Sequence, residues 1–414
     1  MKCMTQSQIY FQVFSLLVAM AGCTNANRQV PKEGGSASGS VAALEDSSEN
    51  SVHSAADSSE STSDILVGEV DSMTGNAATF GISTNQGLLL AIEEINAAGG
   101  LKGRKLKLMT LDAQGKAEES AQAISKFIGQ DQVVAVFSGE ASSHVLAMAP
   151  IAQKNAIPLV VASATNAKIT EAGNFVFRTC FTDAFQGQAL AKFAVEDLKL
   201  RKVALLKDIK SDHSTGLAEV FVKQFTAAGG QIKVEQSYSG GDIDFRSQLT
   251  AIRSKDVDAI VVPGYYTDIS LIGRQARELG IKIPLLGGDG WDSPKLKEIS
   301  GNSLNGSYFS TFYSPENPSP VIQGFRARYQ QKYGFVPDGV AAMGYESAQV
   351  LFQALQKAKS LTRADVRNAL ENLGSVETLT GTFSFGADRN SRKSAVILKI
   401  DSTGIGHFFK TMNP

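Results

Sequence analysis

The chain has 414 residues, with 40 basic and 41 acidic side chains and a formal net charge of −1. That balance argues against a nucleic-acid binder, which needs a basic excess to neutralise phosphates. With 43% hydrophobic and 20% charged residues the bulk is globular, and three scattered Cys and four His make neither a disulfide scaffold nor a zinc framework.

Residues 1–8 are polar with one cation, Lys2, and Ile9 to Met20 is apolar apart from Gln12 and Ser15. This stretch is too short to span a bilayer and has the length of a secretory h-region. It ends in Met20-Ala21-Gly22-Cys23, small residues immediately before a Cys. The run resembles a bacterial lipobox, with Met20 in place of the usual Leu. The expectation is a leader over 1–22 and a lipid anchor on Cys23, which would hold the mature protein outside the cytoplasm on a bacterial membrane. Residues 24–63 are rich in Ser, Ala, Gly, Asp and Glu and contain no aromatics. Such a segment buries too little apolar surface to offset its ordering entropy, so it reads as a flexible tether.

From residue 64 onward strands and helices alternate. Ile65 to Val70 has strand character, Gly87 to Asn96 has helical spacing, and Ala97-Ala98-Gly99-Gly100 stops that helix. Leu106 to Leu111, Ala117 to Ile128 and Val133 to Phe137 continue as strand, helix and a fully apolar strand. This alternation predicts a parallel sheet covered on both faces. The pattern then recurs at a nearly constant offset. Val203 to Leu206 is a strand, and Gly216 to Phe225 is a helix stopped by Ala227-Ala228-Gly229-Gly230. Ile232 to Glu235, Phe245 to Ser254 and Asp258 to Val262 follow, and Ile283 to Leu286 echoes Ile157 to Val160. The body therefore reads as two similar α/β, Rossmann-like lobes with a ligand cleft beyond the carboxyl ends of their strands.

The strand ends carry the candidate chemistry. After Phe137 comes Ser138 to His144, opening a helix; Ser142 and Ser143 either cap it or offer hydroxyls to an anion beside its free N–H groups. After Val161 comes the small polar loop Ala162-Ser163-Ala164-Thr165-Asn166. Val262 is followed by Pro263-Gly264-Tyr265-Tyr266, and Leu286 by Gly287-Gly288-Asp289-Gly290-Trp291. Asp289, flanked by glycines, is either a turn former or the partner of a cation. Hydroxyls on one lobe, a lone carboxylate on the other and aromatics between them describe a site for an α-amino acid.

Several runs resemble the type I periplasmic binding proteins of the Leu/Ile/Val-binding family. They are Glu93 to Arg104, Ala162 to Asn166, Phe177-Arg178-Thr179, Gly287 to Pro294 and Tyr308 to Thr311, and the likeness spans about residues 64 to 414. The resemblance implies two lobes joined by a three-strand hinge, closing over a solute for an ABC permease. Its lobes would be 64–182 with about 315–377, and 183–314 with about 378–414. By position, Ser142 matches the Ser that binds the ligand carboxylate, and the Ser163-Ala164-Thr165 loop holds carboxylate and ammonium. Asp289 matches the acid that pairs with the ammonium, Tyr265 a Tyr reaching across from the second lobe, and Phe80 an aromatic wall. His213 stands where the family usually carries Tyr; it either donates to a polar or acidic ligand group or is a substitution at the rim. Trp291, two residues past Asp289, is expected in the cleft, so its fluorescence would report binding. The ligand is aliphatic by family default, while Tyr265, Tyr266, Trp291 and Tyr313 equally suit an aromatic or amide ligand. The family's first-lobe disulfide is absent, Gln114 and Ala141 standing in those loops, and Cys180 reads as a small apolar filler.

No nucleophile elbow, Walker loop or His-Glu-x-x-His run occurs, and no catalysis, cofactor or metal is expected. The expected partners are an amino acid, ABC permease transmembrane subunits and, through the anchor, a membrane; the protein would act as a monomer. The alternative is a ligand-sensing receptor module of the same fold that signals to a partner protein.

Overall fold

A computed structural model describes residues 63–139 and 141–414. The expectations for the leader, Cys23 and the tether lie outside the described residues. The chain opens with β1 (Ile65–Asp71), α1 (Ala78–Ala97), β2 (Leu106–Asp112), α2 (Ala117–Lys126), β3 (Val136–Ser138), α3 (Ser142–Lys154), β4 (Leu159–Val161) and β5 (Val176–Arg178). It continues through α4 (Asp183–Glu196), β6 (Lys202–Asp208), α5 (Asp212–Ala227), β7 (Gln231–Tyr238), α6 (Arg246–Arg253), β8 (Ala259–Val261), α7 (Tyr266–Glu278), β9 (Leu285–Gly287), α8 (Lys295–Ser300) and β10 (Tyr308–Thr311). It closes with α9 (Pro320–Tyr333), α10 (Gly339–Lys357), α11 (Arg363–Glu371), β11 (Val376–Thr378), β12 (Gly381–Phe383), β13 (Ala395–Ile400) and β14 (Gly406–Met412).

The first sheet is parallel with order β2-β1-β3-β4-β5. The second begins with the same order, β7-β6-β8-β9-β10, also parallel, and adds β13 and β14 antiparallel beyond β10. The repeat seen in the sequence is thus a repeat of topology. Central strands β3, β4, β8 and β9 are buried throughout, whereas β7, at an edge, alternates between exposed and half-buried residues until its last, Tyr238, which is buried. That contrast is why the central runs are uniformly apolar and the edge run, Gln-Ile-Lys-Val-Glu, is not.

Each face of the first sheet has its own core. Leu88, Ile92, Leu351 and Phe325 pack on one side, and Ile124, Val145 and Met148 on the other. The second lobe's core gathers Leu190, Phe193, Phe221, Ile260 and Leu286. α1 and α10 cross so closely that a Cβ on Gly87 would run into the Ala341 carbonyl and one on Gly344 into that of Thr84. α1 and α5 end alike: Gly99 and Gly229 take left-handed φ of 104° and 85°, and Gly100 and Gly230 donate back to Ile95 and Phe225.

The chain passes between the sheets after β5, after β10 and after β12. Ser391, on the last passage, donates from its backbone to Arg178 and from its hydroxyl to the carbonyls of Thr179 and Cys180 on the first. Phe181 and Phe312 join the first and second at 4.7 Å between ring centres. Phe383 packs in the first-lobe core, so β11–β12 stays with that lobe, the last passage follows it, and the lobe boundary expected near residue 377 falls after Phe383 instead.

Two helices begin earlier than the apolar spacing indicates. α1 starts at Ala78 rather than Gly87 because its first turns bury Phe80, Gly81, Ser83 and Thr84, a mixed face turned to neighbouring backbone and to the other lobe. α5 starts at Asp212 rather than Gly216, capped by Ser211, whose hydroxyl accepts from the Ser214 amide. His213 therefore lies in a helical first turn. Of the run Val133 to Phe137, only the last two residues enter a strand, β3, which extends to Ser138; Val133 and Ala135 are buried ahead of it.

Candidate functional site

Both sheets reverse their strand order at their first strand, between β1 and β3 and between β6 and β8, the points where open α/β sheets hold ligands. The loops leaving these strands meet face to face around a small cavity. It is lined by Phe80, Gly139, Ala141, Ser142, Ser163, Ala164, Thr165, Val340, His213, Tyr265, Asp289 and Gly290. Of the nine ligand contacts expected from sequence, eight face this cavity and Trp291 does not.

The first lobe contributes hydroxyls at the start of α3 and in the loop after β4. Ser142 Oγ accepts from the Asn166 amide at 3.2 Å, and Ser163 Oγ donates to the Gly139 carbonyl at 2.8 Å. Ser142, Ser163 and Thr165 are all buried. The Ser142 and Thr165 hydroxyls, beside the N-terminus of α3, suit an anionic oxygen, whereas the Ser163 hydroxyl hydrogen is already given to Gly139.

The second lobe contributes a carboxylate and rings. Asp289 sits in the 3₁₀ turn Asp289–Trp291, and its Oδ1 accepts from Gln186 Nε2 at 2.7 Å. Burial pushes its pKa up to about 6, although the charge on His213 pulls the other way. Tyr265 stacks on His213 with ring centres 5.5 Å apart and meets Phe80 edge-on at 5.6 Å. Burial holds its phenol above the ordinary value, so the ring is neutral.

His213 joins the two halves. Its Nδ1 is 3.0 Å from Thr165 Oγ1 and 3.2 Å from Asp183 Oδ1, and its Nε2 is 3.9 Å from Asp289 Oδ1. Burial opposes a charge on the ring, but Asp183 and Asp289 outweigh it and carry the pKa up to about 9. At neutral pH the ring is an imidazolium. Asp183, His213 and Asp289 place one donor atom each within 4.8 Å of one another. Each imidazole nitrogen, however, faces a different carboxylate, whereas metal ligands converge on one point. The arrangement is that of a cation held between two anions.

The lobes touch around this cavity. Tyr266 donates to the Asn76 carbonyl at 3.1 Å, Asn166 Nδ2 to the Asp212 carbonyl at 2.7 Å, and the Asp212 amide to Ser143 Oγ at 3.2 Å.

Trp291 is a correction to the sequence reading. It is fully buried, donates from Nε1 to the Val262 carbonyl at 3.1 Å and stacks on Phe309. With Tyr313 it lines a separate cavity near Asp292 and Asp338. In a 3₁₀ turn, with three residues per turn, side chains at i and i+2 point to different sides. Asp289 takes the cleft and Trp291 the opposite flank. Asp183 and Gln186 were missed. The signal was present: they share one face of α4 with Leu190, and two polar residues on a buried stripe need partners. Cys180 is fully buried, and burial pushes its thiol pKa up, as suits an inert filler.

A family model described as periplasmic binding protein matches residues 64–404. The chain is 29% identical over 328 residues to Leu/Ile/Val-binding protein homolog 3 of Brucella melitensis, covering 78% of this chain and 87% of that one. It is 28% identical over 325 residues to BraC3, a Leu/Ile/Val-binding protein of Rhizobium johnstonii, covering 78% and 88%. Among solved structures, the leucine-binding protein LivK of Thermotoga maritima superposes with a TM-score of 0.81 at 35% identity, covering 84% and 99%. The branched-chain amino acid transporter substrate-binding protein LivJ of Streptococcus pneumoniae, in complex with isoleucine, gives 0.80 at 31%, covering 85% and 100%. Members of this family bind substrates and are not enzymes. With its duplicated parallel sheets, its three passages between them and a polar cleft at the switch points, the chain belongs to the type I periplasmic binding proteins, the family of the Leu/Ile/Val-binding proteins.

Proposed function

We propose that this protein captures an α-amino acid of the Leu/Ile/Val class between its lobes and delivers it to an ABC permease. The observation that carries the reading is the division of charge in the cleft. Hydroxyls and α3 amide groups lie on one side and the Asp289 carboxylate on the other, complementary to a zwitterion. The Ser142 and Thr165 hydroxyls would take the ligand carboxylate, and the backbone of Ser163 and Ala164 together with the Asp289 carboxylate the ammonium. Phe80, Tyr265 and His213 would form the wall around the ligand's side chain. The isoleucine in the LivJ relative and the names of the curated relatives support this ligand class. The protein would act as a monomer outside the cytoplasm, held to a membrane through Cys23 and the 24–63 tether.

Calorimetry of the purified protein against each proteinogenic amino acid tests the reading. Heat is expected from at least one of leucine, isoleucine and valine; no heat from any amino acid overturns the ligand class. Mass spectrometry of the protein isolated from membranes tests the anchor, which an unmodified Cys23 would exclude.

A further inference from the structure

The cleft holds more charge than a zwitterion requires. Two buried carboxylates face it or stand directly behind its wall, Asp289 and Asp183, and the Asp183 carboxylate is met by the His213 ring alone among the described side chains. The nearest positive group to Asp183 is the His213 ring, at 3.2 Å. Arg178 acts on it only at longer range, since its guanidinium donates to the carbonyls of Ala164 and Asn166 and to Asn390 Oδ1. Taking Asp183, Asp289 and a protonated His213 together, the cluster keeps one net negative charge, enough for one ligand ammonium and no more. His213 Nε2 has no hydrogen-bond partner, and the ring fills the space between Asp183 and the cavity.

We infer that His213 is a specificity-determining residue: a resident cation that occupies a second cation subsite, whose acid is Asp183, and thereby excludes amino acids with basic side chains. The inference rests on the proposed binding of an amino acid. A second ammonium entering the wild-type cleft would meet the imidazolium at close range in a poorly solvated site, where like charges repel strongly. With His213 replaced by a small neutral residue, Asp183 is left buried without its counter-ion, and the vacated ring volume lies next to it. A ligand carrying a second cation at the end of its side chain, such as lysine or ornithine, can then restore the balance. Asp183 is a positioning residue in the wild type, holding the ring by Nδ1, and becomes a ligand contact in the variant.

Calorimetry with leucine, isoleucine, lysine and ornithine on wild type, His213→Ala and His213→Gln is the test. Wild type should bind a neutral amino acid and give no heat with lysine or ornithine. His213→Ala should gain a basic ligand by at least about tenfold, and Asp183→Asn added to it should abolish that gain. Wild-type binding of lysine overturns the inference, as does a folded variant that keeps its neutral ligand without gaining a basic one. If the Ala variant fails to fold, the Gln variant carries the comparison. Nitrogen NMR of His213 in the wild type at pH 7 is independent of any variant. Both ring nitrogens should be protonated, and a neutral ring overturns the inference even if no amino acid binds. In that last case calorimetry alone has already removed the proposed function.

Discussion

Phe80 of the first lobe meets Tyr265 of the second edge-to-face, with ring centres 5.6 Å apart and planes 61° to one another. Phe80 makes a second such contact with Tyr266 at 5.4 Å. These are apolar contacts available only when the lobes are together, so they stabilise the closed form without touching the polar groups of the site. Phe80→Ala removes both pairs, each worth about 0.5–1.5 kcal/mol. The expected outcome is weaker ligand affinity together with a larger radius of gyration of the free protein by small-angle scattering. An unchanged radius and affinity would show that Phe80 is only a wall.

Asp289→Asn tests the ammonium partner. The substitution keeps the shape and an acceptor for Gln186, and removes the charge. Loss of a charge-assisted bond costs about 1.5–3 kcal/mol, a weakening of roughly ten- to a hundredfold by calorimetry. Equal affinities would take Asp289 out of ligand recognition.

The same cluster sets a pH dependence of stability for the ligand-free protein. His213 has a folded pKa of about 9 against an ordinary 6.5, so its stabilising contribution is complete below about 6.5 and is lost as pH rises toward 9. Asp289 is an acid raised to about 6 from 3.8, so its ionisation also disfavours the folded state, between those two values. Both contributions fall as pH rises. In thermal unfolding, replacing Asp289 by Asn should remove the lower part of the dependence, and replacing His213 by Gln the upper part. A melting temperature whose slope survives in the His213 variant between pH 6.5 and 9 would contradict this assignment.

Trp291→Phe separates the flank from the cleft. The variant loses the indole hydrogen bond to Val262 and part of the packing on Phe309, so it should unfold at lower temperature. Its ligand affinity should match wild type, because the indole does not reach the cavity. A large affinity loss in a variant of unchanged stability would return Trp291 to the site.

Gly344→Ala tests the crossing of α1 and α10. The added Cβ would overlap the Thr84 carbonyl, and separating two packed helices typically costs about 1–3 kcal/mol. Chemical denaturation should show that loss with no change in the denaturant slope.

Much of this arrangement is legible in the sequence, because the strand ends need small, polar and glycine residues to let ligand and backbone approach. Ser142, the Ser163–Thr165 loop, Tyr265 and Asp289 stand out for that reason, as does the duplicated Ala-Ala-Gly-Gly stop. What was not legible depends on direction rather than identity. A 3₁₀ turn sends Trp291 away from the cleft that its neighbour Asp289 enters. Asp183 and Gln186 show in the sequence only as polar residues on a buried stripe of α4, which does not say that the stripe turns toward the cleft. The early starts of α1 and α5 were hidden because cleft-facing turns abandon the apolar period.

Arg178, Thr179 and Cys180 are stitched to Ser391, so two of the three passages between the lobes form a single ribbon rather than independent strings. Such a ribbon bends more readily than it stretches or shears. A swing about that ribbon would part Phe80 from Tyr265 and Tyr266, and Asn166 from Asp212, together. A partner that levers the lobes apart at their rims would thus shorten the residence time of a bound molecule without touching any group that holds it.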